Sequence, residues 1–378
     1  MAQLAQVFVA GSPRERGRSY GETLRGLIRA RDAAWKDDIA KSCKIPAKRF
    51  LAAFLEDTSF LPAIRQHAPD LLEEVEAIAE GANLAFADVL AAQLMDEQWW
   101  YAEAFKRRHH CSSLGSLDRK TGTALIAQTM DLPGWMDGFQ TALVIAGPRD
   151  AGTTTVLTVA GMIGLCGMVR RKDGGMLGLC VNTLAQLASN PCGLPVAFVS
   201  RMVLAASDFA AARSFLERVP HASGQNYILS DGRDLIDLEC SAGGALAMAN
   251  GARSDGLVWH ANHPIASSDR RRTPAGRKVM ATGASSCHRM AALDAMLASH
   301  DKPLDAHTVK ALLADRSDRR FPISRPRKNG TDSFTFAGVV WDLGAEPRAE
   351  IAPGPPCSAT FECIAPGAGQ VATIAAAE

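Results

Sequence analysis

Lys106-Arg107-Arg108-His109-His110 runs directly into Cys111-Ser-Ser-Leu-Gly-Ser-Leu117, then Asp118-Arg-Lys-Thr-Gly122, then Thr123-Ala-Leu-Ile-Ala-Gln-Thr-Met130. A basic stretch that closes a helical region gives way to two short apolar runs around a polar turn ending in glycine, the pattern of a β-hairpin. Folding it about residues 120 and 121 sets Cys111 against positions 129 to 131 and brings Asp131 beside it, about 5 Å away at the backbone. Cys111 also marks a place where one broken bond changes the chemistry. If the bond between His110 and Cys111 is cut, the freed α-amine, with a reference pKa of about 8, can take the thiol proton, which an amide nitrogen cannot do.

Upstream of this junction, the pattern from Gly11 to His110 is helical. Spaced apolar positions run over 30–40 and 48–55, Asp70 reads as an N-cap with Glu73 three residues on, and Gly81 reads as a stop. A further helix is expected over 86–105, with Leu90, Leu94, Gln98 and Tyr101 on one face. Downstream, strand-like runs follow at 141–145, 153–160, 175–181, 226–230, 235–240, 257–260, 334–341 and 349–352. Helices interrupt them at 194–206, 209–218, 286–298 and 305–314. Hairpin-grouped strands with helices in separate blocks argue for an α+β fold of stacked antiparallel sheets covered by helices, not for a doubly wound parallel sheet. Segments 266–282, with Arg270, Arg271 and Arg272, and 316–330 read as the mobile loops.

The chain has 378 residues, long enough for one large domain, and its 41 Lys plus Arg nearly balance 40 Asp plus Glu, for a net charge of +1. Nothing in that balance asks for nucleic acid or an anionic membrane, and a small-molecule partner fits better. Nine cysteines are scattered without a CxxC pair, and most are expected to be buried thiols in a reducing compartment. With no basic leader and no apolar run of about 18 residues, the expectation is a soluble cytoplasmic protein. His260, His263 and His288 lack a third ligand at a known zinc spacing, so no metal is expected.

Further segments extend the pattern: Gly11-Ser-Pro-Arg-Glu-Arg-Gly17 with Gly21, Leu72-Glu-Glu-Val-Glu-Ala-Ile-Ala-Glu-Gly81, Ala127-Gln-Thr-Met-Asp131, Gly164 to Gly167, and Val181-Asn-Thr-Leu184. Gly193-Leu-Pro with Arg201, Gln225-Asn-Tyr-Ile-Leu-Ser-Asp231 through Glu239, His260-Ala-Asn-His263, Ser285-Ser-Cys-His-Arg289 and Gly354-Pro-Pro-Cys357 complete it. In this order they resemble the acyl-CoA:isopenicillin N acyltransferase-like family of N-terminal-nucleophile cysteine hydrolases. The resemblance spans nearly the whole chain. It implies an αββα four-layer sandwich, made as a precursor that cuts itself into a helical small chain, 1–110, and a catalytic chain, 111–378, which stay together as one structural domain. It also implies that amide bonds to small amines are cleaved or formed through an acyl-enzyme, with no bound cofactor and a coenzyme A thioester as co-substrate in the acyltransferase case.

Residue by residue, the resemblance makes Cys111 the nucleophile, Asp131 the aspartate that holds the α-amine and orients the thiol, and Asn262 the oxyanion donor. Arg289 matches the arginine near the nucleophile, with Ser285 and Ser286 in the adjoining serine motif. Two positions depart from the family. Val169 stands where many relatives have asparagine, leaving only its backbone N–H for the oxyanion, and His110 precedes the cut where glycine is common.

The first reading is thus an autoprocessed cysteine amidase acting on a small N-acyl amine or short peptide-like linear amide, and the second an acyltransferase drawing on acyl-CoA. A papain-like enzyme would use Cys111 uncut with His260 or His263 as base. A non-enzymatic binding module on the same fold is the remaining alternative, and a homo-oligomer stays open. Trp99, Trp100 and Tyr101 read as core or as a wall of the acyl pocket, Asp231 and Glu239 as a structural ion-pair region, and Arg270 to Arg272 as a solvated loop or a contact for a coenzyme A phosphate.

Overall fold

The computed structural model describes residues 3–102, 110–147, 151–248, 256–271, 284–298, 300, 303–327 and 333–365. A short strand β1 (Ala5–Val9) leads into α1 (Pro13–Thr23), whose start is fixed by a reciprocal cap: the Glu15 N–H donates to Ser12 Oγ and the Ser12 N–H to Glu15 Oε2. Helices α2 (Arg25–Cys43), α3 (Ala47–Asp57), α4 (Phe60–His67), α5 (Pro69–Ala82), α6 (Phe86–Gln93) and α7 (Met95–Tyr101) follow. Helices α1 and α5 cross with their backbones nearly touching. A Cβ on Gly17 would lie 2.3 Å from Glu74 O, one on Gly21 2.5 Å from Ile78 O, and one on Gly81 2.4 Å from Arg18 O. Gly81 therefore serves this crossing inside α5, and Asn83, at φ 53°, ends the helix in the left-handed conformation. Asp70 likewise lies in the first turn behind Pro69 instead of capping it. The helix expected over 86–105 breaks at Leu94 with no proline or glycine to announce it, and 103–109 lies outside the described residues.

Eight strands form the first sheet, in the order β1-β4-β5-β6-β7-β8-β9-β10: β4 (Gln140–Ala146), β5 (Gly152–Val159), β6 (Cys166–Arg171), β7 (Met176–Thr183), β8 (Gln225–Ser230), β9 (Leu235–Ser241) and β10 (Gly244–Ala247). The second has six, β11-β2-β3-β12-β13-β14: β11 (Leu257–His260), β2 (His110–Asp118), β3 (Thr123–Pro133), β12 (Ser333–Asp342), β13 (Arg348–Ala352) and β14 (Glu362–Ile364). Every ladder is antiparallel except β1 with β4, a correction to the all-antiparallel expectation. Those two strands are separated by the whole helical segment, so no hairpin constrains their direction.

Helices α8 (Val196–Ala205) and α9 (Phe209–Arg218) lie on the first sheet, and α10 (Ala284–Leu297) and α11 (Ala306–Leu313) on the second. Three apolar interfaces make four layers. Tyr20, Ile78, Leu143, Leu179 and Phe198 join the outer helices to the first sheet. Ile126, Met130, Leu157, Cys180 and Trp341 fill the space between the sheets, and Leu114, Ala127, Leu293, Val309 and Val340 join the second sheet to α10 and α11. The αββα sandwich expected from the resemblance is the observed one. No described helix is long and apolar enough to cross a membrane.

Candidate active site

Strand alternation splits the surroundings of Cys111 between the two faces of the second sheet. In the β2–β3 ladder Cys111 faces Met130, the centre of the expected 129–131 range, and His110 faces Asp131, which sits one residue along from the cysteine's direct partner. The thiol belongs to the apolar layer between the sheets with Met130, whereas Ser112 and Asp131 point to the opposite face, where α10 brings Arg289. β11 pairs with β2 so that His260 opposes Ser113; two residues further, just beyond the strand end, Asn262 arrives beside Cys111.

The main chain of Cys111 is clamped on both sides. Its N–H donates to Asn262 Oδ1 at 2.7 Å, and its carbonyl accepts from Arg289 Nη1. Arg289 also donates to Ser112 Oγ at 2.8 Å and, through Nη2, to Asn262 Oδ1 at 2.8 Å, closing a ring of hydrogen bonds around the cysteine backbone. Two donors on Oδ1 and the bond from Nδ2 to Thr183 O at 2.9 Å fix the orientation of the Asn262 amide. The Asn262 N–H donates to Ser286 Oγ, which also bonds His263 Nδ1 at 2.7 Å; Ser285 Oγ is buried without a partner among the described residues. Burial brings Arg289 down to about 10, so it stays cationic at neutral pH.

Burial, helped by the charge of Asp131, pushes the Cys111 thiol up to about 12, against the pull of Gln128 and Arg289. In the uncut chain it is a protonated thiol. Asp131 itself is held by Thr335 Oγ1 at 2.6 Å and Arg325 Nε at 3.0 Å, and burial raises its pKa despite the Arg325 charge. Among the described residues it makes no hydrogen bond to Cys111. Its influence on the thiol is electrostatic, across the sheet.

Further residues shape the site, and of the two expected in a structural ion-pair region Glu239 takes that part, with His260. Gln128, on the inner face of β3, holds Val181 of the other sheet by both N–H and C=O and also reaches the thiol. Asn182 Nδ2 donates to the carbonyls of His260 and Ala261, and Gln186 Nε2 to Asn262 O at 3.1 Å. Glu239 accepts from His260 Nε2 and from the backbone N–H groups of Ile265, Ala266 and Ser267, tying down the loop that carries Asn262. Burial pulls His260 toward the neutral form, but Asp237 and Glu239 more than offset it, so its pKa is raised. Asp231, by contrast, only shapes a turn through the N–H groups of Arg233 and Asp234.

Other expectations need correction. Val169 lies in β6 between Thr154 and Leu177, so its N–H belongs to the sheet ladder, and its side chain packs toward the outer helices, on the face away from Cys111. It does not join the site. His260 uses Nε2 on Glu239 and Nδ1 on the Ala261 carbonyl, His263 bonds Ser286, and His288 bonds Asp318; none is hydrogen-bonded to Cys111, which removes the papain-like arrangement. Segment 266–271 is anchored instead of loose, through Glu239, the pairing of Asp269 with Ser241, and Arg270 donating to the carbonyls of Ser267 and Pro264. Arg272 and the rest of that loop to 282, together with 328–330, lie outside the described residues.

A narrow pocket of about 60 Å³ opens beside the Cys111 thiol. Met95, Met130, Met136, Met162 and Leu165 give it an adaptable apolar wall, Trp99 lines it as one reading of the aromatic stripe expected, and Asp96, Thr183 and Gln225 form its polar side.

Residues 174–342 match the family model described as acyl-coenzyme A:6-aminopenicillanic acid acyl-transferase. The resemblance read from the sequence is borne out there. The matched segment contains Asn262, Ser285, Ser286 and Arg289 and stops short of Cys111 and Asp131. No curated protein matches the chain in sequence. Two solved structures of conjugated bile acid hydrolase from Clostridium perfringens, the C2A mutant and the R18L variant, are each 12% identical, each covering 67% of this chain and 92% of their own, with TM-scores of 0.37 and 0.35.

Proposed function

We propose that this chain is an N-terminal-nucleophile cysteine amidohydrolase that cuts its own His110–Cys111 bond and then hydrolyses a small linear amide through a Cys111 acyl-enzyme. The supporting observation is the clamp on the cysteine backbone: Asn262 and Arg289 spend their hydrogen bonds on the N–H and C=O of Cys111, the atoms that matter when the residue is to become a chain terminus. In the first step the thiol adds to the His110 carbonyl carbon, the peptide C–N bond breaks, and the nitrogen leaves as the α-amine of Cys111, giving a thioester that water hydrolyses to the His110 carboxylate. The amine, held at Asn262 Oδ1, then accepts the thiol proton that the buried, uncut chain retains. Against substrate, the thiolate displaces the amine, which leaves carrying the proton, and water releases the acid. Asn262 Nδ2 has a second hydrogen beyond the one given to Thr183, and we assign it to the developing oxyanion, where one such donor is worth about 3 kcal/mol.

The family model is described by an acyl transfer, so an amine acceptor replacing water is the second reading. Acyl trapping tests both. Mixing the protein with anilides of simple carboxylic acids and quenching in acid should add the acyl mass to the Cys111 peptide as a hydroxylamine-labile thioester, and an added amine that shortens its lifetime selects the transferase. Labelling elsewhere, or none with any donor, contradicts both.

A further inference from the structure

The pocket beside the nucleophile contains an acid that the reaction above does not use. Among its polar side chains, Gln93 uses both its N–H groups on the carbonyls of Val89 and Gly161 and its oxygen on the Ile163 N–H. Thr183 Oγ1 and Gln225 Nε2 each give one hydrogen bond to Asp96, at 3.1 and 2.5 Å, one to each carboxyl oxygen. A carboxylate has roughly four lone-pair sites, so Asp96 keeps acceptor capacity toward the cavity it lines. No cation pairs with it among the described residues.

Its neighbour Glu97 turns the other way, accepting from Val196 N and Ser223 Oγ, with Oε2 buried and unpartnered among the described residues. Burial, with the Asp96 charge, pushes Glu97 up to about 8, while burial against the pull of Gln225 and Thr183 leaves Asp96 at about 6. Of the two, Asp96, with a donor on each oxygen, ionises the more readily, and Glu97, whose Oε2 has no partner among the described residues, holds its proton the more tightly. An anion thus faces a small, methionine-lined cavity, close enough for the Cys111 thiol to feel its field.

We propose that Asp96 is a specificity-determining residue that selects substrates whose short acyl chain ends in a primary ammonium, an aminoacyl class of amide, by pairing with that ammonium while the methionines hold the methylenes. This rests on the Cys111 acyl-enzyme reading. The ammonium would supply the missing counter-charge and use the free lone pairs, and Asn at position 96 would keep the shape and the acceptor oxygen but not the charge.

The experiment compares 4-aminobutanoyl and pentanoyl amides of one aromatic amine, which differ by an ammonium in place of a methyl, on the intact protein and on Asp96→Asn, with the acyl mass on Cys111 followed in parallel. The wild type should favour the aminoacyl substrate in kcat/KM by about tenfold or more, the range of a hydrogen bond to a charged group, and Asp96→Asn should remove most of that preference. The preference should fade in the wild type as pH falls through about 6 and the carboxyl protonates, and stay flat in the variant. Glu97, Cys111 and Tyr227 are the other titratable groups in electrostatic contact with Asp96, so a fade retained in Asp96→Asn would belong to them and overturn the proposal. A wild type that acylates Cys111 from both donors without discrimination, or a preference untouched in Asp96→Asn, overturns the assignment to Asp96 alone. Failure of both donors to reach Cys111 overturns the acyl-enzyme reading and this proposal together.

Discussion

At the residue scale the site depends on one guanidinium. Arg289 bridges Cys111 O, Ser112 Oγ and Asn262 Oδ1 from a fully buried position, which requires the fork geometry of arginine. Arg289→Lys keeps a charge but reaches fewer of these acceptors. It should lower stability by roughly 2–4 kcal/mol in denaturant titrations and slow the proposed self-cleavage by more than tenfold, an effect of about 1.4 kcal/mol or more on the barrier. Unchanged cleavage in a stable variant would remove Arg289 from the site. Cys111, Asn262, Ser286 and Arg289 were legible because each lies in a segment with a recognisable residue order. Gln128 and Asp96 were not, since a lone polar residue in a strand or helix says nothing about partners 53 to 129 residues away until the sheets are stacked; Glu239 was legible as an ion-pair residue, though not its partner His260.

At the element scale, hairpin strands were readable because turn residues and alternation mark them, and β11 and α9 coincide with their expected spans. Edge strands were harder: β1, β10 and β14 are short and lack a clear alternation of their own, and β6 is hidden by glycines on both sides. The α1–α5 crossing is an element-scale property that one methyl group tests. Gly21→Ala places a Cβ 2.5 Å from a carbonyl oxygen, so the helices must separate, at a cost of about 1–3 kcal/mol measurable as a lower midpoint in chemical denaturation; a neutral result would contradict the close contact. The carboxyl pair opening α7 predicts a pH effect of defined sign. Glu97 has its folded pKa raised from 4.5 to about 8, so its favourable, protonated contribution is complete below about pH 4.5 and is lost as pH rises through 8. Thermal midpoints of the wild type should therefore fall relative to Glu97→Gln across that window; parallel curves would place the burial of this group elsewhere.

Across the whole molecule, the segment before residue 111 is woven into the rest. β1 is a strand of the first sheet, Tyr20 and Ile78 pack into the outer helical layer, and Trp35, Phe50 and Met95 close the space between the sheets. A cut before Cys111 would thus leave two pieces sharing two cores, each piece too stripped of apolar contacts to leave without global unfolding. Length and pattern raised only the expectation of one large domain, whereas the interweaving depends on contacts between residues far apart in sequence. The most direct test of the central claim is the denatured intact mass of purified protein beside Cys111→Ala. Two fragments meeting between His110 and Cys111 in the wild type, co-eluting under native conditions, with one uncut chain in the variant, is the predicted result; an active wild type that is a single unbroken chain would contradict it.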